Sequence, residues 1–159
     1  MQIRFTLLVL GLALFPAVAT AQDDAAVSPP EPAPEYIVED VILDGVDASL
    51  NDFIWLKRPI VVFADSPNDP RFIQQMQFLT DRLDDLRERD VVVLTDTERD
   101  SGSALRDKLH PRGFSLVLIE KDGGVFLRKP APWDVREITR AIDKLPLRQQ
   151  EIRDRRGGS

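Results

Sequence analysis

Two uninterrupted apolar segments, separated by one amphipathic segment, constrain the fold of this chain more than any other feature. Residues 60–64 and 91–95 read Ile-Val-Val-Phe-Ala and Val-Val-Val-Leu-Thr, and such runs are typical of strands covered on both faces. A helix is predicted between them, beginning at Asp69-Pro70 and ending near Arg89, because an apolar stripe recurs there at spacings of three and four. Its members are Phe72, Met76, Leu79, Leu83 and Leu86. A helix joining two buried strands forces a crossover, so the sequence predicts a parallel βαβ unit.

A β-hairpin is predicted further along the chain. The apolar runs 114–119 and 125–128 flank the turn Lys121-Asp122-Gly123-Gly124, whose glycines permit the geometry of a tight antiparallel connection. The polar stretch 96–102 leads into a short predicted helix over 103–109. The chain therefore adds a helix and then two antiparallel strands to the βαβ unit.

A final helix is predicted from Asp134, which forms a capping-box-like start with Glu137, to Pro146, which is expected to stop it. Residues 36–43 are interpreted as an edge strand and residues 50–57 as a short helix. The order βαβ, helix, ββα is that of a thioredoxin fold. The predicted class is α/β, a thioredoxin-like three-layer sandwich with a mixed sheet and helices on both faces.

Several short motifs, taken in order, carry a resemblance to a known family. They are Trp55 with Lys57-Arg58, Phe63-Ala64, Asp69-Pro70-Arg71 with Gln75, Glu88-Arg89-Asp90, Gly113-Phe114, the turn 121–124, Ile142-Asp143, Pro146, Arg148-Gln149 and Glu151. Over residues 50–151 the chain resembles the thioredoxin-like domain of unknown function 4174. That domain occurs in stand-alone exported bacterial proteins and in extracellular sushi-repeat and matrix-associated animal proteins. The resemblance implies a thioredoxin-like fold and assigns no activity.

The absence of cysteine excludes the chemistry for which this fold is best known. Thioredoxin-like enzymes hold a reactive thiol between the first strand of the βαβ unit and the following helix, whereas the corresponding loop here is Asp65-Ser66-Pro67-Asn68-Asp69-Pro70. Dithiol exchange and thiol-peroxidase activity are therefore excluded. The net charge of −6, without a basic stripe, also argues against a nucleic-acid partner.

The sequence is interpreted as a non-catalytic binding or adaptor domain with no cofactor and an unidentified protein partner. The same loop position recognises partners in the wider fold, so the loop and the segment before the third buried strand form the predicted contact surface. Its residues are Asp65, Ser66, Asn68, Asp69, Arg71, Gly113 and Phe114.

The alternative is a hydrolase that depends on carboxylates and a metal ion. Asp65 and Asp96 each follow a predicted parallel strand, and ligands settle at the carboxyl ends of such strands. Their oxygens suit Mg²⁺ or Ca²⁺, although both residues can equally end a strand in solvent. A third interpretation, Ser66 as a nucleophile, needs the only histidine, His110, as its base.

Both ends of the chain are predicted to lie outside the folded domain. Residues 1–21 have the pattern of a signal peptide, with Arg4, an apolar stretch too short for a membrane span, and small residues up to Ala21. Residues 22–35 form an acidic, proline-rich linker. The domain is predicted over 36–147 and a charged tail over 148–159, and the expected location is the periplasm or the extracellular space.

Overall fold

The computed structural model describes residues 41–158 as five strands and five α-helices, with one 3₁₀ helix at Leu50–Phe53. The strands are β1 (Ile42–Asp44), β2 (Arg58–Phe63), β3 (Val91–Asp96), β4 (Ser115–Ile119) and β5 (Val125–Lys129). The helices are α1 (Pro70–Thr80), α2 (Leu83–Arg87), α3 (Ala104–Leu109), α4 (Val135–Ile142) and α5 (Pro146–Gly157). The predicted signal peptide, the linker and the first part of the predicted edge strand lie outside the described residues.

The strands form one mixed sheet in the order β1-β3-β2-β4-β5. β3 pairs in parallel with both β1 and β2, while β4 is antiparallel to β2 and β5 antiparallel to β4. At the centre, Val61 lies opposite Leu94 of β3 and Val117 of β4. The predicted βαβ unit and β-hairpin are both confirmed.

Each face of the sheet supports its own hydrophobic core. On one face, Ile60 and Val62 of β2 pack with Leu79 of α1, Leu86 of α2 and Ile138 of α4. The opposite face carries the alternate strand residues, and the 3₁₀ helix and α3 cover it with Leu50, Phe53, Leu105 and Leu109. Every residue of β2 is buried, which explains the uninterrupted apolar run in the sequence, since a strand covered on both faces has no solvent side.

The prediction of one helix from Asp69 to Arg89 is wrong, because the segment forms two helices. The side chain of Asp69 caps α1 by accepting a hydrogen bond from the backbone N–H of Arg71, as expected. At the other end, the Thr80 hydroxyl donates to the carbonyl oxygens of Met76 and Gln77, which is a local alternative to continued helix. Arg82 then leaves the helical conformation, with φ −140°.

The predicted final helix ends before Pro146, as α4 at Ile142, but the chain continues as another helix. Pro146 is the first residue of α5, a position where a proline costs no hydrogen bond. The helix runs past the boundary predicted at residue 147, and within it Arg148 is only 2% exposed. From composition alone, such a charged segment is expected to lie in solvent. In the structure, Arg148 instead forms ion pairs with other residues of the domain. Among residues 41–158, no helix is both long enough and apolar enough to span a membrane.

Candidate functional site

Loop 65–71, which connects β2 to α1 and includes the first two residues of that helix, is held in one shape by its own polar groups. The Ser66 side chain accepts from the N–H of Asn68 at 3.2 Å, and the Ser66 carbonyl accepts from the N–H of Asp69 at 3.1 Å. The Arg71 guanidinium donates to both carboxylate oxygens of Asp69, at 3.2 and 2.9 Å. Hydrogen bonds from the Arg71 side chain and backbone lower the pKa of Asp69. These internal hydrogen bonds pre-organise the loop.

The two predicted contact residues outside the loop have different roles. Gly113 adopts a left-handed conformation with φ +61°, and a Cβ atom there would lie 3.9 Å from Oδ2 of Asp65, so it adjoins the loop. Phe114 is only 2% exposed and belongs to the core. The Arg71 guanidinium carbon lies 5.5 Å from the centre of its ring. Phe114 thus supports the surface from below and is not itself available for contact.

A cleft of about 640 Å³ opens beside the loop, at the carboxyl ends of β2 and β3. It is lined by Asp65, Arg99, Asp100, Arg106, His110, Pro111, Arg112 and Gly113. Three connections contribute: the β2–α1 loop, the β3–α3 segment and the α3–β4 segment. Of the predicted site residues, the structure places Asp65 and Gly113 in the cleft. The arginines that line it were not predicted, because they come from separate segments without a common motif.

Asp96 does not join Asp65 as a free ligand. It is fully buried, and its carboxylate accepts from the Ser103 hydroxyl at 2.5 Å and from Nε of Arg106 at 2.9 Å. It also accepts from the N–H of Glu98 at 3.2 Å. Within residues 41–158, no group of three or more His, Asp or Glu side chains is arranged to hold a metal ion. The hydrogen bonds of Asp96 tie the end of β3 to the start of α3. The alternative of a metal-dependent hydrolase therefore gains no support.

His110 follows α3 directly as its C-cap, in the left-handed conformation with φ 47°. The hydrogen bond of the Ser66 hydroxyl oxygen within the described chain is the one from Asn68. The two residues therefore do not form the hydrogen-bonded pair that nucleophilic catalysis requires.

A network of ion pairs occupies the opposite end of the sheet. Glu151 of α5 accepts from Nη2 of Arg58 at 2.9 Å and from Nζ of Lys121 at 3.0 Å, and Nη1 of Arg148 lies 3.4 Å from its second oxygen. Lys121 also bonds Asp90 at 2.8 Å. Arg58 and Arg148 are 1% and 2% exposed. Burial raises the pKa of Glu151, but hydrogen bonds from Arg58 and Lys121 outweigh burial and lower that pKa to about 2.

Large apolar side chains are exposed around the β4–β5 turn. Trp55 and Leu56 are 65% and 66% exposed, and Val125 and Phe126 follow the turn itself. Trp55 has a φ of 64°, and its N–H donates to the carbonyl of Lys121 at 2.6 Å. Trp55, one of the motif residues, therefore lies on the surface.

Comparison with known proteins decides the family. Residues 49–151 match a family described as domain of unknown function DUF4174. This chain belongs to the DUF4174 family. A search of curated proteins finds no match for it.

One solved structure, with the mixed sheet described above, confirms the thioredoxin-like fold of this DUF4174 domain. The reduced 2-Cys peroxiredoxin of Plasmodium vivax has a TM-score of 0.52 at 17% identity, over 65% of this chain and 85% of that chain. Thioredoxin peroxidase I of Plasmodium yoelii has a TM-score of 0.45 at 21% identity, over 65% of this chain and 80% of that chain. At such identities the likeness concerns the fold alone, and the DUF4174 chain has no cysteine.

Several motif residues that gave the DUF4174 resemblance lie in the ion-pair network or hold other parts of the domain together. Besides Glu151 and its three partners, Arg89 donates to both oxygens of Asp143 at 2.9 and 2.8 Å. Gln75, another motif residue, is fully buried and brackets the backbone of Trp133, accepting from its N–H at 2.7 Å and donating to its carbonyl at 3.1 Å. These residues hold strands and helices together. These motif residues therefore stabilise the framework of the domain.

Proposed function

We propose that this DUF4174 domain is an exported, non-catalytic binding or adaptor module, and that it engages a protein partner through loop 65–71 and the adjoining cleft. The observation that carries the proposal is the position of the cleft. It lies outside the carboxyl ends of β2 and β3, the edge at which open α/β sheets bind their ligands.

The chemistry of this edge favours binding over catalysis. The chain contains no cysteine, the Ser66 hydroxyl oxygen accepts from Asn68, and the Asp96 carboxylate is held by Ser103 and Arg106. The polar side chains that follow β2 and β3 are thus already hydrogen-bonded within the domain. A non-redox thioredoxin-like domain with such an edge is suited to holding a partner.

The loop offers a stiff polar surface to that partner. Asp65, Asn68 and Arg71 are exposed, and the hydrogen bonds of Asp69 fix the backbone between them. A surface that is already ordered loses little conformational entropy on binding. The net charge of −6 disfavours nucleic acid as the partner, because phosphate binding needs a basic surface.

Export is supported by the sequence outside the described residues. Residues 1–21 carry the pattern of a signal peptide, and the proline-rich segment 22–35 suits a tether. We place the mature domain in the periplasm or the extracellular space on this basis.

Site-directed photo-crosslinking in the native envelope or secretome tests the proposal. A photoreactive residue at position 68 is expected to give discrete adducts, whereas one at Gln150, which is exposed on α5 at the other end of the domain, is expected to give none of them. Arg71→Ala removes an exposed contact group but keeps the Asp69 side chain that caps α1. This variant should lower the adduct yield about tenfold, as loss of about 1.4 kcal/mol of binding would.

The matched control is Arg140→Ala, which removes another exposed arginine, on α4, and should leave the yield unchanged. Identical adduct patterns at positions 68 and 150, or an Arg71→Ala yield equal to that of Arg140→Ala, would refute the proposed surface. Turnover of a peroxide or a disulfide by protein free of contaminants would refute the non-catalytic assignment.

A further inference from the structure

The cleft beside loop 65–71 carries an arginine that is fixed in place while one of its nitrogens stays available. Arg106 donates from Nε to the carboxylate of Asp96 at 2.9 Å. Its Nη2 donates to the carbonyls of Ala64 at 2.8 Å and Asp96 at 3.2 Å. Nη1 makes no hydrogen bond to any described residue, and the side chain remains 11% exposed. Arg106 is therefore a cleft-lining residue that is held in place by Nε and Nη2 and keeps Nη1 free of hydrogen bonds to the described chain.

Further donors line the same cleft from other segments. Arg112 is exposed and its guanidinium has no ion pair or hydrogen bond within residues 41–158. Arg99 makes only a long contact with Asp65, 3.5 Å between Nη1 and Oδ2, and is 71% exposed. His110 supplies an imidazole. Arginines from the β3–α3 and α3–β4 connections thus line the same cleft as Arg106 of α3, in a chain whose net charge is −6.

The acidic residues of the cleft limit which anion fits. Asp65 and Asp100 line it, and the buried Asp96 lies behind Arg106. The charges of Arg99, Arg106 and Arg112 are therefore balanced on the protein itself. A phosphate dianion would meet two carboxylates here, whereas a monoanion gains the N–H groups of Arg106 and Arg112 with less repulsion.

We propose that this cleft binds a carboxylate of an acidic peptide segment, with Arg106 Nη1 and Arg112 as its donors. The inference rests on the proposed function, since the cleft adjoins the contact loop. It adds the chemistry that the site recognises in its partner. The carboxylate is supplied by a glutamate or aspartate side chain or by a chain end, and the two sources are separated by the test.

NMR titration of the chain without residues 1–21 tests this inference with three peptides. The first is acetyl-Gly-Glu-Glu-Gly-amide, which has only side-chain carboxylates. The second is acetyl-Gly-Gln-Gln-Gly, which has only a terminal carboxylate, and the third is its amide, which has none. Saturable shifts of the backbone amides of Arg99, Asp100, His110, Arg112 and Gly113 are expected with at least one carboxylate peptide and not with the neutral one.

Charge variants then locate the donors. Arg112→Gln should weaken binding of the carboxylate peptide about fivefold or more, and Asp100→Asn should tighten it, because the second removes a repelling charge. Arg140→Gln, the matched loss of an exposed arginine on α4, should leave the affinity unchanged. Equal shifts with the neutral peptide, no saturable shift with either carboxylate peptide, or tighter binding of inorganic phosphate would overturn the inference.

The outcome is separable from that of the crosslinking experiment. Loss of peptide binding together with a specific adduct at position 68 rejects the carboxylate site and leaves the proposed function standing. Peptide binding without that adduct confirms the site and rejects loop 65–71 as the protein-binding surface.

Discussion

Glu151 joins the C-terminal helix to the sheet, and its charge is the feature whose removal should be felt most clearly. Its carboxylate contacts Arg58 at 2.9 Å, Lys121 at 3.0 Å and Arg148 at 3.4 Å, while its own side chain is 19% exposed. Glu151→Gln keeps the shape of the side chain and removes the charge. The variant leaves the almost fully buried Arg58 guanidinium without its counter-charge, which is a costly arrangement, whereas Arg148 keeps its contacts with Asp143 and Glu88.

The magnitude follows from the pKa. In the folded protein the pKa of Glu151 falls from its ordinary value of 4.5 to about 2, and each pKa unit is worth ~1.4 kcal/mol. The ionised carboxylate therefore contributes about 3 kcal/mol to the free energy of unfolding. Because the folded pKa is lowered, this contribution is complete above pH 4.5. It declines as the pH falls from 4.5 toward 2, where the unfolded chain binds the proton before the folded one does.

Urea unfolding followed by circular dichroism, at pH 7 and at steps down to pH 2.5, measures this contribution. Glu151→Gln should be less stable than the wild type by about 3 kcal/mol at pH 7, and most of the difference should vanish by pH 2.5. Glu98→Gln, an exposed glutamate whose side chain makes no ion pair within residues 41–158, should differ from the wild type by less than about 0.5 kcal/mol throughout.

Two results would refute this reasoning. A loss below about 1 kcal/mol at pH 7 would mean that solvent replaces the Glu151 charge almost completely. A loss that stays constant from pH 7 to pH 2.5 would mean that packing, and not charge, is what the variant disturbs.

Two further stability predictions concern buried polar groups. Asp96→Asn should lower the free energy of unfolding by about 3 kcal/mol, because the largely buried Arg106 loses its counter-charge; urea unfolding checks this, and exposed Asp100→Asn should change it by less than about 0.5 kcal/mol. Gln75→Ala should cost about 2–3 kcal/mol and shift the fluorescence of Trp133, since two backbone groups of that residue lose their partner. The exposed Gln74→Ala is the control. Equal losses of stability in the two alanine variants would contradict the role of the hydrogen bonds between Gln75 and Trp133.

The candidate site was only partly accessible from the sequence. The position of loop 65–71 follows from the βαβ unit, because the first connection always leaves the carboxyl end of its strand. The sequence does not predict which side chains line that edge, because Arg99, Arg106 and Arg112 belong to different segments. Phe114 was predicted as a contact residue and does adjoin the loop in the fold. Its side chain is buried, however, and is therefore not part of the surface.

Local sequence patterns determined which strands and helices form in this protein. Long-range contacts determined which charged side chains are buried and what they pair with. The apolar runs 60–64 and 91–95 and the stripe between them specify two buried parallel strands and a crossover, because periodicity reports directly on which faces exclude water. The missing cysteine excludes thiol chemistry in any arrangement. Tertiary structure alone decided that Arg58, Arg148 and Asp96 are buried, since a charged side chain leaves water only where the fold brings it an opposite charge. It also decided that α5 belongs to the domain.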